Sequence, residues 1–280
     1  TAIVGLLVTI NPISLVFYRT FIAAIGLGVI ILIRKDKSFH VSGHDILKVS
    51  MVGLVLSLHW ILFFLSARIS TASVCLAGIA TTSLWTSLIE PIVKKKPIRP
   101  LEVGLGILAF SGLYMVLKFE FNHALGLTLA LLSAILAAIF TVSNSKLVQR
   151  IDAHTITFYE MASASIFSLL FLFVARIFHL WDEGPMIPVG NDWIWILFLA
   201  LICTVYASTA ATQLMRQFSA YLINLTVNLE PVYGIGLAFL IFGEKERMTE
   251  GFYWGTMIIV LAVGLYPVLN AIPYFKRQSQ

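Results

Sequence analysis

The chain has 280 residues, of which 59% are hydrophobic and 12% are charged, with a formal net charge of +5 and a mean hydropathy of +0.93. Soluble domains carry roughly 25% charged residues, so this composition excludes a soluble protein and indicates an integral membrane protein. The apolar residues form successive runs of about 17 to 25, each long enough as a helix to cross ~30 Å of hydrocarbon.

These runs predict nine full transmembrane helices joined by short loops. In chain order they cover residues 13–33, 46–66, 71–93, 101–117, 125–148, 154–178, 192–211, 219–242 and 251–271. The first ten residues are also apolar, but as a helix they would reach only ~15 Å, about half the hydrocarbon thickness. We expect them to be the outer half of a first helix whose start is missing. The predicted fold is an all-α polytopic membrane protein with ten transmembrane helices.

The basic residues predict the orientation of these helices. Most of the 19 lysines and arginines fall in loops that alternation places on one side, including residues 34–37 and 94–99. The positive-inside rule makes that side the cytoplasm and puts both termini there. The positive charge is therefore explained without a nucleic-acid partner, and the lipid bilayer is the expected environment. The residues leave monomer and homodimer both open.

The two halves of the chain resemble each other. "FYRTFIAA" (17–24) is similar to "FYEMASAS" (158–165), and "SGLYMVL" (111–117) is similar to "VGLYPVL" (263–269). Each half holds five predicted helices, and a second copy with an odd number of crossings is inverted relative to the first. We predict a first five-helix repeat over residues 1–118, a second, inverted repeat over 124–271 and a cytoplasmic tail over 272–280.

Four motifs in this order resemble the EamA-type drug/metabolite transporters. They are "NPISLVFYR", "SARISTASVCLAGI", "NLEPVYGIGLAFLIFGEKERMT" and the closing Gly-rich helix. The resemblance covers essentially the whole chain, although "KKKP" stands where members often carry "LGE" before the fifth helix. It implies a ten-helix exporter of amino acids or similar small metabolites in the bacterial inner membrane. The substrate would bind in a central cavity, and neither a cofactor nor a metal is expected.

The ninth helix carries the most conspicuous polar group. Glu230 lies about ten residues into this span, where an unpaired carboxylate costs several kcal/mol. It must be protonated, paired or facing a wet cavity. Two interpretations are open: Glu230 recognises a substrate amine or carries a proton, or it fixes the kink expected at Pro231.

The same helix has two polar faces. At 100° per residue, one face contains Thr226, Glu230 and Tyr233, and the other contains Tyr221, Asn224 and Asn228. We expect one face to line the transport pathway and the other to bind a neighbouring helix. The spacing does not distinguish which face does which.

Arg19 and Glu160 occupy equivalent places in the two repeats. Inversion puts Arg19 in the outer half of the second helix and Glu160 in the inner half of the seventh, so they are not expected to be direct partners. Arg19 suits a substrate carboxylate or a fixed interhelical bond. Glu160 is either a cavity residue or a partly hydrated residue near the cytoplasmic interface.

Two aromatic side chains complete the predicted set of cavity residues. His59 in the third helix can accept a proton or hydrogen-bond a ligand, and the competing interpretation is a satisfied interhelical histidine. Trp85 in the fourth helix can stack on an aromatic or cationic substrate, and it can equally pack against lipid or a neighbouring helix.

The sequence argues against an enzyme. All five aspartates fall in loops or at their edges, which excludes a membrane aspartyl protease, and the motifs of metalloproteases, serine hydrolases and P-loop ATPases are absent. A receptor would not require an inverted duplication. The favoured function is secondary transport by alternating access. Because Arg19 is the one clearly intramembrane basic residue, an amino acid or related zwitterion is favoured over a sugar phosphate, a nucleotide sugar or a drug.

Overall fold

The computed structural model describes residues 1–34, 41–95, 100–178 and 184–270, except for the side chains at positions 100, 102, 103, 267 and 270. Parts of the basic segments 34–37 and 94–99, and the whole of the tail predicted for 272–280, lie outside these residues. Throughout the described ranges the regular structure is helical, without a strand.

The described residues form ten helical stretches, which we number α1 to α10. They are α1 (Ala2–Leu7), α2 (Pro12–Ile33), α3 (Gly43–Ile69), α4 (Ala72–Lys94), α5 (Pro100–Phe119), α6 (Phe121–Leu147), α7 (Ala153–Ile177), α8 (Asp192–Leu214), α9 (Ala220–Glu246) and α10 (Glu250–Asn270). Helices α2 to α4 and α6 to α9 are long and apolar enough to cross a membrane, and α5 and α10 contain shorter apolar helices. The nine full spans expected from the sequence each overlap one of α2 to α10. The count of ten crossings and the inversion of the repeats stay predictions.

Helices α4 and α9 are both interrupted. The break in α4 falls between Ile79 and Thr82, where the Thr82 hydroxyl donates to the Ile79 carbonyl oxygen at 2.7 Å and offers the backbone an alternative to the helical ladder. The break in α9 falls after Val227, and helix resumes at Glu230. Pro231 has no N–H to bond the carbonyl four residues earlier, so the ladder stops there. The sequence predicted a kink in the ninth span at Pro231, and the structure has a two-residue interruption just before it.

The chain divides into two compact units. The first combines Thr1–Phe64 with Ser143–Ser219, and the second combines Leu65–Val142 with the chain from Ala220 onward. Each unit therefore takes helices from both sequence halves. The predicted repeats, 1–118 and 124–271, are relations along the sequence and do not coincide with these units.

In the first unit α2 packs lengthwise against α7 in antiparallel orientation. Arg34 Nη1 lies 3.4 Å from His154 Nε2 near one end. Further along, a Cβ on Gly28 would sit 3.3 Å from the Phe158 ring. Small residues thus let the two helices approach closely, which is the usual basis of helix association in membranes.

In the second unit α5 packs along α10 through two glycines that face each other. A Cβ on Gly112 would lie 2.6 Å from the Gly255 carbonyl oxygen, and a Cβ on Gly255 would lie 2.7 Å from the Gly112 carbonyl oxygen. Phe252 and Ile259, which flank Gly255 on α10, are fully buried in the core of this unit. The helix contact therefore requires the absence of a side chain at both positions.

Gly255→Ala is expected to lower the free energy of unfolding by about 1–3 kcal/mol, because the added methyl must push the two backbones apart. Gly264→Ala, on the same helix, is the matched control, since a Cβ there meets nothing within 4 Å. Denaturant unfolding in detergent micelles measures both. Equal stability of the two variants would show that the α5–α10 contact is not tight.

Candidate functional site

A buried positive charge lies in the first unit. Arg19 on α2 is 2% exposed, and its Nε donates to the Thr204 hydroxyl at 2.8 Å. Its guanidinium carbon lies 3.8 Å from the centroid of the Trp60 ring and 5.9 Å from that of Phe64. Arginine keeps its charge when buried. The first unit therefore contains a fixed cation, oriented by the hydrogen bond to Thr204 and stacked on an aromatic face.

The geometry of α8 places the hydroxyl that holds Arg19. Residues Phe198–Tyr206 adopt the wider π-helical turn, and the Thr204 hydroxyl donates to the Leu199 carbonyl oxygen at 2.8 Å. That bond orients a lone pair of the hydroxyl toward Arg19. Wide turns of this kind occur frequently at functional sites.

A buried carboxyl group lies elsewhere in the first unit. Glu160 on α7 and Asn144 on α6 are both 0% exposed. The Asn144 side chain lies next to this carboxyl. None of the four polar atoms of the two side chains makes a hydrogen bond of acceptable geometry with a described residue. The site is an acid buried beside an amide.

In the second unit α4 and α9 run antiparallel, and each ends on a carboxylate that caps the start of the other. Glu246 accepts hydrogen bonds from the backbone N–H groups of Ala72 and Ser73, both at 2.9 Å. Glu90 accepts from the backbone N–H of Tyr221 at 3.1 Å. The first N–H groups of a helix lack intrahelical partners and favour negative charge. The two glutamates therefore fix the register of the helix pair at both ends.

Two asparagines join the middles of α4 and α9. Asn224 donates to the Thr86 hydroxyl at 2.7 Å. Asn228 donates to the Ala80 carbonyl oxygen at 2.8 Å and to the Ser83 hydroxyl at 2.7 Å. The Ala80 carbonyl lies at the break in α4, so Asn228 satisfies a backbone group that the interruption exposes.

A shallow, partly open cleft lies between four helices of the second unit. Its lining consists of five apolar side chains and four that carry a hydroxyl group: Ser83, Leu84, Ser87, Leu105, Ala109, Tyr221, Ala262, Val263 and Tyr266. The Tyr221 and Tyr266 rings are 4.1 Å apart between centroids, inclined at 49°. Apolar walls with a few hydroxyls suit the apolar part of a ligand.

Comparison with known proteins identifies the family. A sequence profile of the EamA-like transporter family matches residues 1–118 and 124–266. The chain belongs to the EamA-like transporter family. It is therefore a multi-pass membrane transporter, as the resemblance of its motifs predicted.

Two relatives and one solved structure agree with this assignment. An uncharacterized transporter of Archaeoglobus fulgidus is 23% identical over 264 residues, covering 92% of this chain and 87% of the relative. An uncharacterized transporter of Synechocystis sp. is 25% identical over 181 residues, covering 63% of this chain and 48% of the relative. A crystal structure with 16% identity matches at a TM-score of 0.67 over 94% of this chain and 90% of its own, which shows a shared fold.

The two polar faces predicted for the ninth helix have different environments in this EamA-like transporter. Asn224 and Asn228 are buried and bind α4, so this is the face that holds a neighbouring helix. Tyr221, also on that side, borders the cleft. On the other face, Thr226 is exposed. Its hydroxyl donates to the carbonyl oxygen of Leu222 on its own helix.

Glu230 is half-buried and begins the second segment of α9. At this position the carboxylate lies at the start of a helical segment, where negative charge is favoured. The break in α9, rather than a smooth kink, is what places Glu230 there.

The remaining predicted residues fall in separate places. Arg19 and Glu160 are fully buried, which removes the interpretation of Glu160 as a partly hydrated interfacial residue. They lie at different levels of the antiparallel α2 and α7, since Gly28 lies beside Phe158 and Arg34 beside His154. His59 is half-buried with Phe63 at 6.1 Å between ring centroids. Trp85 is half-buried, and its indole N–H donates to the Thr81 hydroxyl at 3.2 Å.

Several residues of these sites were not anticipated from the sequence. They are Trp60 and Thr204 beside Arg19, Asn144 beside Glu160, and Glu90 and Glu246 at the ends of α4 and α9. One signal pointed to Glu90, because "IEPIV" in the first half corresponds to "LEPVY" in the second. Glu246 stood out only as one of several charges in a loop.

Asn228→Ala is expected to lower the free energy of unfolding by about 1–2 kcal/mol, since hydrogen bonds between transmembrane helices contribute about 0.6 and at most 1.7 kcal/mol each. Thr226→Ala on the opposite face of α9 is the matched control and should change stability little, because its hydroxyl bonds only its own helix. Unfolding of both variants in mixed micelles tests this. A larger loss of stability in Thr226→Ala than in Asn228→Ala would show that the opposite face of α9 binds α4.

Proposed function

We propose that this protein exports amino acids or related zwitterions across the bacterial inner membrane by alternating access. Membership of the EamA-like transporter family provides the general activity. The substrate class and the mechanism are inferred from the buried polar groups.

The observation that carries the proposal is the environment of Arg19. Among the described residues it is the one lysine or arginine that is buried. A guanidinium presents a planar fork of donors that matches a carboxylate in two parallel bonds. Phosphate carries more charge than a carboxylate and is usually bound by several cations, so a single buried arginine favours a monocarboxylate. The stacked Trp60 ring holds the fork in one plane.

The cleft in the second unit supports the apolar character of the substrate. It is bordered by α4 and α5 from the first predicted repeat and by α9 and α10 from the second. Tyr221 and Tyr266 favour a ligand with an apolar or aromatic part.

Contacts within each unit support the proposed alternation of the helices. In the first unit Arg150 pairs with Asp45 at 2.6 Å, and both lie on the side that the basic residues predict to be cytoplasmic. In the second unit the Thr249 N–H donates to Glu120 at 2.7 Å, and both belong to loops predicted to lie on the opposite side. Segments assigned to the same side are in contact, as the proposed alternation requires.

Competitive efflux from proteoliposomes tests the substrate class. Vesicles containing the purified protein are loaded with the twenty amino acids and with common sugar phosphates, and efflux of each is followed by mass spectrometry. Protein-free vesicles are the control. Selective loss of a few amino acids is the expected result. Movement of sugar phosphates without amino acids would replace this proposal by the alternative of a phosphate-ester carrier.

A further inference from the structure

Glu160 is buried without the partners that an ionised carboxylate requires. Its side chain is 0% exposed, and neither carboxyl oxygen makes a hydrogen bond with a described residue. An isolated carboxylate in such surroundings costs many kcal/mol, so the group is stable there only as the neutral acid. The arrangement therefore holds a proton on Glu160.

Neighbouring helices close tightly around this position. On α3, a Cβ at Gly53 would collide with the Ser163 side chain and would lie 2.7 Å from the Glu160 carbonyl oxygen. Nearby hydroxyls do not donate hydrogen bonds to the Glu160 carboxyl. Ser163 donates to the Tyr159 carbonyl oxygen at 2.6 Å, and Thr157 donates to the Ala153 carbonyl oxygen at 2.9 Å. The close packing excludes water from the carboxyl in this conformation.

Charged and titratable groups on the surrounding helices do not contact the acid. Those in the described part of α2, α3, α6, α7 and α8, with Arg34 just after the end of α2, are Tyr18, Arg19, Arg34, His44, Asp45, Lys48, His59, Arg68, His123, Lys146, His154, Tyr159, Arg176, Asp192, Cys203 and Tyr206. None of them bonds to the Glu160 carboxyl; the polar side chain next to it is that of Asn144. An amide can accept a hydrogen bond from the neutral acid and donate to the ionised form, which suits a group that changes protonation state.

The nearest helix end provides a short route for a proton. Glu160 lies seven residues after Ala153, the first residue of α7, a distance of about 10 Å along the axis. His154 lies at that end, on the side predicted to be cytoplasmic. A modest separation of α7 from α3 or α6 would let water reach the carboxyl from there.

We propose that Glu160 is a proton-binding site, with Asn144 as its positioning residue, and that one proton is taken up and released there in each transport cycle. In the closed conformation the group is COOH. When a conformational change in the cycle exposes the Glu160 carboxyl to water, the group releases H⁺ and becomes COO⁻. It must take up a proton again before the helices close. The coupling to transport rests on the proposed function, whereas proton binding by Glu160 does not.

Infrared difference spectroscopy tests the site without any substrate. The wild-type protein in lipid at pH 7 is expected to show the carbonyl stretch of a buried neutral carboxylic acid, absent in Glu160→Gln and shifted in Glu160→Asp. Asn144→Leu should shift the same band, because it removes the amide partner, and Glu230→Gln should leave it unchanged. Absence of a neutral-acid band that depends on Glu160 in the folded wild-type protein would overturn the proposal.

Proteoliposomes test the coupling. With the amino acid found to be exported as the probe, a difference of one pH unit should drive about tenfold accumulation for one-proton exchange, since each tenfold ratio corresponds to one unit. Glu160→Gln should lose this accumulation but keep exchange of labelled for unlabelled amino acid, which needs no net proton movement. Accumulation driven by a sodium gradient alone, or unchanged in Glu160→Gln, would refute the coupling. If no amino acid moves in any variant, the proposed substrate fails while the infrared result still decides the proton site.

Discussion

Arg19→Gln is expected to reduce amino acid export by at least about 30-fold at low substrate concentration. The change removes the buried positive charge that we assign to the substrate carboxylate, and truncating one member of a buried charge pair costs about 2–5 kcal/mol. Glutamine places its amide nitrogen where Arg19 Nε lies, so it can still donate a hydrogen bond to Thr204, but it lacks the guanidinium group that stacks on Trp60. The loss should therefore appear mainly in apparent substrate affinity.

The measurement is initial-rate efflux over a range of internal amino acid concentrations. Arg150→Gln is the matched control, because it removes an arginine from a partly exposed ion pair with Asp45, and such pairs contribute about 0–1 kcal/mol. Arg19→Lys adds a second comparison: it keeps the charge and loses the planar fork over Trp60, so an intermediate affinity is expected. Unchanged efflux in folded Arg19→Gln protein would reduce Arg19 to a helix-packing role.

Glu246→Ala is expected to lower the free energy of unfolding by about 2–5 kcal/mol, the largest stability effect among the variants proposed for α4 and α9. Glu246 is 3% exposed and accepts two backbone hydrogen bonds from the first turn of α4. Hydrogen bonds to charged groups contribute about 1.5–3 kcal/mol each, and their loss leaves two buried N–H groups without this partner. The start of α4 should fray as a result.

Glu244 supplies a matched control two residues earlier. Its side chain is 76% exposed, and it pairs at 3.1 Å with the equally exposed Arg247, so Glu244→Ala should change stability by less than about 1 kcal/mol. Denaturant unfolding reports the global effect, and hydrogen exchange at Ala72 and Ser73 reports the local one. Fast exchange at these two amides in Glu246→Ala alone is expected. Equal protection of these two amides in both variants would show that Glu246 does not cap α4.

The class of protein could be predicted from local patterns. An apolar run of membrane-crossing length forms a helix wherever it stands, because the backbone must satisfy its own hydrogen bonds in hydrocarbon. The predicted spans accordingly overlap α2 to α10, and the order of motifs identified the family. The interruption of α9 was less visible, although Pro231 indicated a disturbance, because a proline permits either a kink or a break.

The partners of the polar residues could not be predicted from the sequence. Periodicity separated two faces of α9 but did not show which one binds α4. Arg19 and Thr204 are 185 positions apart, Ala72 and Glu246 are 174 apart, and Asn228 and Ser83 are 145 apart. No local propensity relates residues at such separations.

What the sequence determined by itself is therefore the membrane environment, the helices and the family, all of which depend on composition and on patterns within one segment. Only the tertiary structure decided that Arg19 stacks on Trp60, that Glu160 is sealed beside Asn144 and that Glu246 caps α4. The physical reason is that the free energy of a polar group in a low-dielectric interior depends on the hydrogen-bond partners and charges around it. Those surroundings exist only after distant helices have packed.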